Sequence, residues 1–304
     1  MSFFEEFSYL PLPFKPIVDG DLLKDAFLPK EPLNLLKQQT FNKVPIIIGS
    51  NNDEGLLINA FLLTNEKENY QQLRENWGKI GPLTFFHRES DENMKEEEVI
   101  AMQYKNNHFK NSSFGPKSKA QLSMWGDVIF TSPADWAAKL IANSGSIPIF
   151  YYNYNHQGSF SLFQLMTEPK WKIGLKLVTS ILGHDMFPIT AGVCHFDELF
   201  LQWEAKSLKI STVRTSQDKD VSRRLIEMWT NFATFHNPTP KDGLWKKLDP
   251  KKPMFLDIGS EESKMMYPTP FKERMEEWAN IWEKIPPLMA NKKSKTWNKT
   301  YTIS

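Results

Sequence analysis

Imidazole side chains are few in this chain, and they limit where acid-base chemistry can take place. The sequence contains six histidines, at positions 87, 108, 156, 184, 195 and 236. His87, His108 and His236 lie in a polar stretch or at a helix end, and we interpret them as surface residues. His184 and His195 lie in GHDMFPITAGVCHFDELF, a segment rich in Gly, Pro and Asp that follows a predicted strand. Loops at strand ends carry the chemistry of α/β proteins, so these two are candidates.

A carboxylate is the second candidate group, because it could orient one of these imidazoles. Glu54 lies in the polar turn NNDEG, directly after the apolar run KVPIIIGS. An acid in such a position can hold an imidazole in one tautomer and stabilise its cation. Asp and Gly are also ordinary turn residues, so this turn alone does not identify a site.

Two other kinds of site are weighed against this pair. Cys194 lies in GVCHF, which resembles a nucleophile turn, but its neighbour His195 would point to the opposite face of an extended segment. We therefore interpret the cysteine as a small buried residue. Metal-ligand types occur at His184, Asp185, His195, Asp197 and Glu198, without HExxH or paired CxxC spacing. The sequence predicts no metal and no cofactor.

The balance of charged residues argues against a nucleic-acid partner. The 304 residues include 37 Lys and Arg against 36 Asp and Glu, a net charge of +1. Such a balance provides no basic field for nucleic acid, and we expect no nucleic-acid partner. No apolar run approaches the 18 or so residues that a membrane span requires, and the start MSFFEEFSYLPLPFKP lacks the pattern of a signal peptide.

The elements that would position the candidate residues follow an α/β rhythm. The run at 43–50 is rich in β-branched residues and predicts a parallel strand buried on both faces. A buried helix is predicted after Gly55, and IPIFYYNYNH predicts a second strand. Between them, a helix is expected in DVIFTSPADWAAKLIANSG with its N-terminus marked by Ser132 and Pro133. These patterns indicate a predominantly parallel sheet with flanking helices.

Outside this unit, the patterns predict two core helices and two solvated regions. The segments VSRRLIEMWTNFATFHNPTP and FKERMEEWANIWEKIPPL carry apolar stripes at helical spacing. Residues 86–120 are polar and uneven, and we interpret them as a solvated helix and loop. The tail at 291–304 is expected to be frayed.

Several separated segments together resemble the type B carboxylesterase and cholinesterase family. In order they are FKPIVDGDLL, KVPIIIGSNNDEGLL, GDVIFTSPADWAAKL, IPIFYYNYNHQG, AGVCHFDELF and MWTNFATFHNPTP, with LDIG at 256–259, and the match spans about 8–285. The resemblance implies an incomplete α/β-hydrolase fold, the carboxyl-terminal half of the family's single domain, over 1–290. It also implies that Glu54 is the acid and His195 the base of a Ser-Glu-His triad, in the usual chain order.

The sequence departs from the family in lacking the rest of the triad machinery. No G-x-S-x-G motif and no glycine-rich oxyanion segment occur, so no residue of this chain is predicted as the nucleophile. Without them the chain alone is expected not to hydrolyse esters. Phe196 follows the histidine where many relatives have a small residue, which leaves the shape of the pocket open.

Three interpretations of function follow. The first is part of a carboxylic ester hydrolase that acts, in the full-length parent, on a small apolar ester. The second is a non-catalytic cholinesterase-like binding or adhesion protein, and the third is a truncated inactive product. Family resemblance implies an extracellular or secretory parent. Asn111 and Asn298 begin N-glycosylation sequons that matter only in that compartment.

Overall fold

The protein is described by a computed structural model that covers residues 18–20, 24–86, 95–109, 113–145, 147–167, 192–204 and 215–284. The first half contains α1 (Pro32–Gln38), β1 (Ile46–Asn51), α2 (Leu56–Leu63), α3 (Glu66–Glu75), α4 (Trp77–Phe86), α5 (Lys95–Phe109) and α6 (Lys119–Gly126). A π-helical turn (Asp127–Thr131) joins α6 to α7 (Ser132–Ala142). The second half contains β2 (Ile149–Tyr154), α8 (Leu162–Thr167), α9 (Leu199–Gln202), α10 (Ser216–Phe235), β3 (Phe255–Ile258), β4 (Ser263–Met266) and α11 (Lys272–Lys284).

The four strands form one mixed sheet in the order β1-β2-β3-β4. β1 pairs with β2 in parallel from Ile46 opposite Ile149 to Asn51 opposite Tyr154. β2 and β3 are also parallel, whereas β4 returns antiparallel along β3. The prediction of a predominantly parallel sheet with flanking helices is confirmed. Because β1 and β2 run the same way, the turns that follow them lie at one edge of the sheet.

β1 differs from the predicted strand in its burial. Residues 46–49 are only half-buried, and full burial begins at Ser50 and Asn51. The reason is that β1 is the edge of the sheet within the described residues, with β2 on one side only. The prediction that this strand is buried on both faces is therefore wrong for its first four residues.

The helix that carries Ser132 and Pro133 does not begin where the sequence predicted. α6, the π-helical turn and α7 follow one another without a break, so Ser132 and Pro133 lie inside a continuous helical segment. Proline has no N–H to donate and crowds the preceding turn of a regular helix. The wider π-helical turn just before it gives the backbone a place to absorb that mismatch.

A cluster of large aromatic side chains packs several of the helices together. Trp77, Trp125 and Trp278 are each 2% exposed or less, and Phe85 and Tyr104 pack among them. α5 is therefore not simply solvated, as the sequence suggested, because its Ala101, Tyr104 and Phe109 are buried. A second cluster, which includes Leu225 and Met228 of α10, covers β2 and β3. Both predicted core helices are confirmed.

The last described helix is attached to the π-helical turn by an ion pair. Arg274 of α11 donates from Nη2 to Oδ1 of Asp127 at 3.0 Å. Its Nε lies 2.9 Å from the other carboxylate oxygen of Asp127, which is itself buried. Trp282 donates to Ser132 at 3.1 Å. None of the helices in the described ranges has the length and apolarity that a membrane span requires.

Candidate active site

Glu54 occupies the turn between β1 and α2, where the sequence placed it. The turn at 52–55 begins immediately after the strand, and Gly55 precedes the first residue of α2. The carboxylate is buried, with its residue only 5% exposed. One of its oxygens, Oε1, accepts a hydrogen bond from the backbone N–H of Asn51 at 2.7 Å. This bond leaves the other oxygen, Oε2, available for a second partner.

His195 lies in the loop that precedes α9, and glycine starts this loop for a steric reason. Gly192 has a φ of 114°, a conformation that side chains rarely adopt. A Cβ atom at this position would also lie 2.6 Å from Oδ2 of Asp53. The positive φ and the close approach of the Asp53 side chain both favour glycine at 192.

The structure brings Glu54 and His195 together. Oε2 of Glu54 lies 2.7 Å from Nδ1 of His195, across 141 positions of sequence. The His195 side chain is 36% exposed, and its Nε2 atom has no hydrogen-bond partner among the described residues. An imidazole held through Nδ1 by a carboxylate, with Nε2 free, is the arrangement of a general base oriented by an acid.

Backbone and side-chain hydrogen bonds fasten the two segments around this pair. The N–H of Asp53 donates to the carbonyl of Val193 at 2.9 Å, and the N–H of Val193 donates to Oδ2 of Asp53 at 2.9 Å. Asn51 adds a third link, because its side-chain amide donates to the carbonyl of Cys194 at 2.7 Å. These links join the residues just before Glu54 to the residues just before His195, and they fix the separation between the acid and the histidine.

The surrounding charges favour the protonated imidazole. Burial is the largest single influence on His195 and lowers its pKa. The hydrogen bond and charge of Glu54, together with the charges of Glu198 and Asp197, outweigh it and raise the pKa above the ordinary 6.5. A base of raised pKa holds an abstracted proton more firmly, which suits an imidazole that must take a proton and later return it.

Two phenylalanines flank the imidazole. The ring of Phe130, from the π-helical turn, stacks on His195 with centroids 4.1 Å apart and planes inclined by 25°. Phe196 is 43% exposed, and its ring centroid lies 6.5 Å from that of His195. Its φ of 80° is unusual for a residue with a side chain. The residue that departs from the family pattern thus adopts a backbone conformation that glycine would adopt without strain.

The other candidate residues from the sequence do not form a site in the described part of the chain. Cys194 is fully buried, and burial is the main cause that raises the pKa of its thiol, the opposite of what activates a nucleophilic cysteine. His184, Asp185, His87, Asn111 and Asn298 lie outside the described residues. A cleft lined by Lys119, Ser123, Asp127 and Arg274 includes Glu54 but not His195. In the described part of the chain, no cluster of three His, Cys, Asp or Glu is arranged for a metal.

Sequence reasoning missed a buried histidine outside the candidate pair. His156 is 1% exposed, with Nε2 3.0 Å from Oδ1 of Asp218 and Nδ1 2.8 Å from the hydroxyl of Ser260. Asp218 also caps α10 together with Thr215. This cluster joins the loop after β2 to α10 and to the β3–β4 connection, so its role is structural. The residues before His156, such as Asn153 and Tyr154, form no pattern that would predict its burial or its contact with Asp218.

Comparisons with known proteins point to one family. The model of the carboxylesterase family matches residues 2–278. Similar curated proteins include a juvenile hormone esterase of Tribolium castaneum, 27% identical over 82% of this chain, and a carboxylic ester hydrolase of Bombus ignitus, 26% identical over 80%. An acetylcholinesterase of Leptinotarsa decemlineata is 26% identical over 84% of the chain.

A solved structure shows the same fold. The crystal structure of juvenile hormone esterase from Manduca sexta, with OTFP covalently attached, superimposes with a TM-score of 0.68 at 18% identity over 90% of this chain. The match covers 47% of that protein, and the curated relatives are covered to 41%, 40% and 35% of their length. The chain therefore spans less than half the length of the relatives it matches, and its fold is the corresponding part of an α/β-hydrolase.

Proposed function

Because this chain belongs to the carboxylesterase family, we propose that it supplies the acid and the base of a serine-type carboxylic ester hydrolase. Glu54 is the acid and His195 the base of a Ser-Glu-His triad. The observation that carries the proposal is the contact of 2.7 Å between Glu54 Oε2 and His195 Nδ1, with Nε2 unpaired among the described residues. A non-catalytic relative would have no need to keep both groups in this geometry.

The serine and the oxyanion hole belong to a part of the protein outside this chain. Residues 1–290 then form the carboxyl-terminal part of a single carboxylesterase domain, and 291–304 lie beyond it. The chain spans about two fifths of its first relatives, which leaves room for the missing groups in the longer protein. On this proposal the chain alone does not hydrolyse esters.

The proposed reaction has two steps, acylation of the serine and hydrolysis of the acyl-enzyme. In each step His195 accepts one proton and then returns it. Nε2 accepts the serine proton as the hydroxyl oxygen attacks the ester carbonyl, and Glu54 stabilises the imidazolium that results. The proton passes to the alcohol as the carbon–oxygen bond breaks, which leaves an acyl-enzyme. Water then attacks the acyl group while Nε2 takes its proton, and the serine leaves with that proton as the carboxylic acid is released.

The substrate is proposed as a small, apolar carboxylic ester. Phe130 stacks on the imidazole and the ring of Phe196 lies near it, and this aromatic surface suits an apolar acyl or alcohol group. We also propose a secretory or extracellular setting, because one relative is named a venom carboxylesterase of Apis mellifera. Glycosylation at Asn111 and Asn298 would accompany that setting.

The test uses the longer protein that contains this chain. His195→Ala and Glu54→Ala should each lower kcat for a simple carboxylic ester by about 1,000-fold or more, and both should slow labelling by an organophosphate. The matched controls are His236→Ala and Glu75→Ala, which alter exposed residues of the same two types and should leave kcat within about twofold. Undiminished turnover in either triad variant would end the assignment.

A further inference from the structure

Asn51 makes three hydrogen bonds around the candidate pair, one to the turn that carries Glu54 and two to the loop that carries His195. It is the last residue of β1 and is only 2% exposed. Its backbone N–H donates to Oε1 of Glu54 at 2.7 Å. Its side-chain amide donates to the carbonyl of Cys194 at 2.7 Å and to Oε2 of Glu198 at 2.6 Å.

The chemistry of the amide group explains why asparagine is suited to this position. A primary amide has two N–H donors on one nitrogen, and both are used here on acceptors from the histidine loop. Aspartate would offer only acceptors in place of these donors. A leucine of similar size would leave a buried carbonyl and a half-buried carboxylate without these bonds.

Glu198 brings a second negative charge to the imidazole. The pKa of this carboxyl group is raised, chiefly by burial and also by the charge of Glu54, whereas the hydrogen bond from Asn51 and the charge of His195 oppose that rise and favour the ionised form. Three carboxylates face His195 in all: Glu54 from the turn after β1, and Asp197 and Glu198 from the histidine loop. Only Glu54 contacts the ring directly, so Glu198 acts through space and its position matters.

We propose that Asn51 is a positioning residue that holds Glu198 as the second anion for His195, alongside Glu54. The proposal rests on the proposed function, since it concerns how the same imidazole is prepared to act as a base. Asn51 touches neither the substrate nor the reacting atoms. It joins the acid turn to the histidine loop, through Glu54 at one end and through Cys194 and Glu198 at the other.

The experiment measures the pKa of the His195 imidazole by NMR in the chain of residues 1–304, with the His195 signal assigned by its loss in His195→Gln. Glu198→Gln keeps the size of the side chain and an oxygen that can accept from Asn51. It should lower the pKa of His195 by about 0.5 to 1. Glu75→Gln, which removes an exposed carboxylate on α3, is the matched control and should leave the pKa unchanged.

A double variant separates positioning from a merely structural role. Asn51→Ala should lower the pKa of His195, and Asn51→Ala combined with Glu198→Gln should lower it no further than Glu198→Gln alone. An Asn51→Ala variant that is less stable, but leaves the pKa of His195 unchanged, would overturn the positioning role. An unchanged pKa in Glu198→Gln would overturn the inference even if Asn51→Ala failed to fold.

A third variant, Glu54→Gln, tests the proposed acid–histidine pair itself. Glu54→Gln removes the carboxylate in direct contact with the ring and should lower the pKa of His195 more than Glu198→Gln does. If Glu54→Gln has no effect, the acid–histidine pair itself is wrong. If Glu54→Gln lowers the pKa and Glu198→Gln does not, the pair stands and only the inference about Asn51 and Glu198 falls.

Discussion

The backbone carbonyl of Leu122 lies so close to Gly55 that an ideal Cβ atom on the glycine would be 2.0 Å from its oxygen. Gly55 directly follows Glu54, and Leu122 lies on α6, which continues into the turn that carries Phe130. The glycine therefore sets how closely the acid turn approaches the helix that supports the histidine. Its φ of −65° is ordinary, so the requirement is for space and not for backbone freedom.

Gly55→Ala should consequently destabilise the chain. The methyl group meets backbone atoms of α6, which cannot move aside as a flexible side chain would, so the helix or the turn must shift. We expect the free energy of unfolding to fall by about 2 to 4 kcal/mol, measured by urea denaturation. Gly115→Ala is the matched control, because a Cβ there meets nothing within 4 Å, and its effect should stay within about 0.5 kcal/mol. Equal stabilities of the two variants would contradict the steric argument.

Position 196 allows a second test, in which a glycine variant should be more stable than an alanine variant, the reverse of the usual order. Alanine normally stabilises a chain relative to glycine, because glycine loses more backbone freedom on folding. At a φ of 80°, a Cβ atom is strained and glycine is not. Both Phe196→Gly and Phe196→Ala remove the ring and its contact with Phe200, so that loss cancels between them.

We therefore expect Phe196→Gly to be more stable than Phe196→Ala by about 1 kcal/mol. The comparison is made by thermal and urea unfolding of the two purified variants. A more stable alanine variant would show that residue 196 does not hold the left-handed conformation in solution.

Local patterns in the sequence predicted the elements but not the contacts between them. The β-branched run at 46–48 and the apolar stripe of α10 are signals within one segment, and both elements form as predicted. The π-helical turn before Pro133 was missed, because Ser and Pro together usually mark a helix start. Glu54 and His195 were named as candidates from their positions after predicted strands, but their pairing came from the family resemblance, since nothing within either segment indicates a partner 141 residues away.

The parts of the site that were missed depend on the folded geometry. Asn51 has an ordinary residue type for the end of a strand, and its bonds to Cys194 and Glu198 cross more than 140 positions. His156 likewise finds Asp218 only once α10 packs beside the loop after β2. The positive φ of Phe196 leaves no trace in the sequence, because the residue type there argues against such a conformation.

Asp197 gives the chain a pH dependence of unusual sign for an aspartate. Burial raises the pKa of this carboxyl group to about 7, although hydrogen bonds from the backbone N–H of Leu162, the side chain of Ser161 and the N–H of Cys194 favour the charged form. In the unfolded chain the pKa returns to its ordinary 3.8. Between these two values the folded protein holds a proton that the unfolded chain releases.

The stabilising contribution of Asp197 is therefore complete below about pH 3.8 and is lost as the pH rises through about 7. Within that window this group should lower the free energy of unfolding by at most about 1.4 kcal/mol for each pH unit. Asp197→Asn cannot titrate and should remove this slope. The asparagine also has one acceptor fewer, for the N–H of Leu162 or of Cys194. This second loss lowers the free energy of unfolding by about 1 to 3 kcal/mol equally at every pH.

Urea unfolding at several pH values between 4.5 and 8 measures both effects. The stability of the wild type minus that of Asp197→Asn should shrink as the pH rises to about 7 and stay constant above it. Asp220→Asn alters an exposed carboxylate on α10 and serves as the control, with a difference curve that stays flat. A flat curve for Asp197→Asn would mean that this carboxylate is already ionised in the folded chain near pH 5. Its charge would then add fully to those of Glu54 and Glu198 at the imidazole of His195.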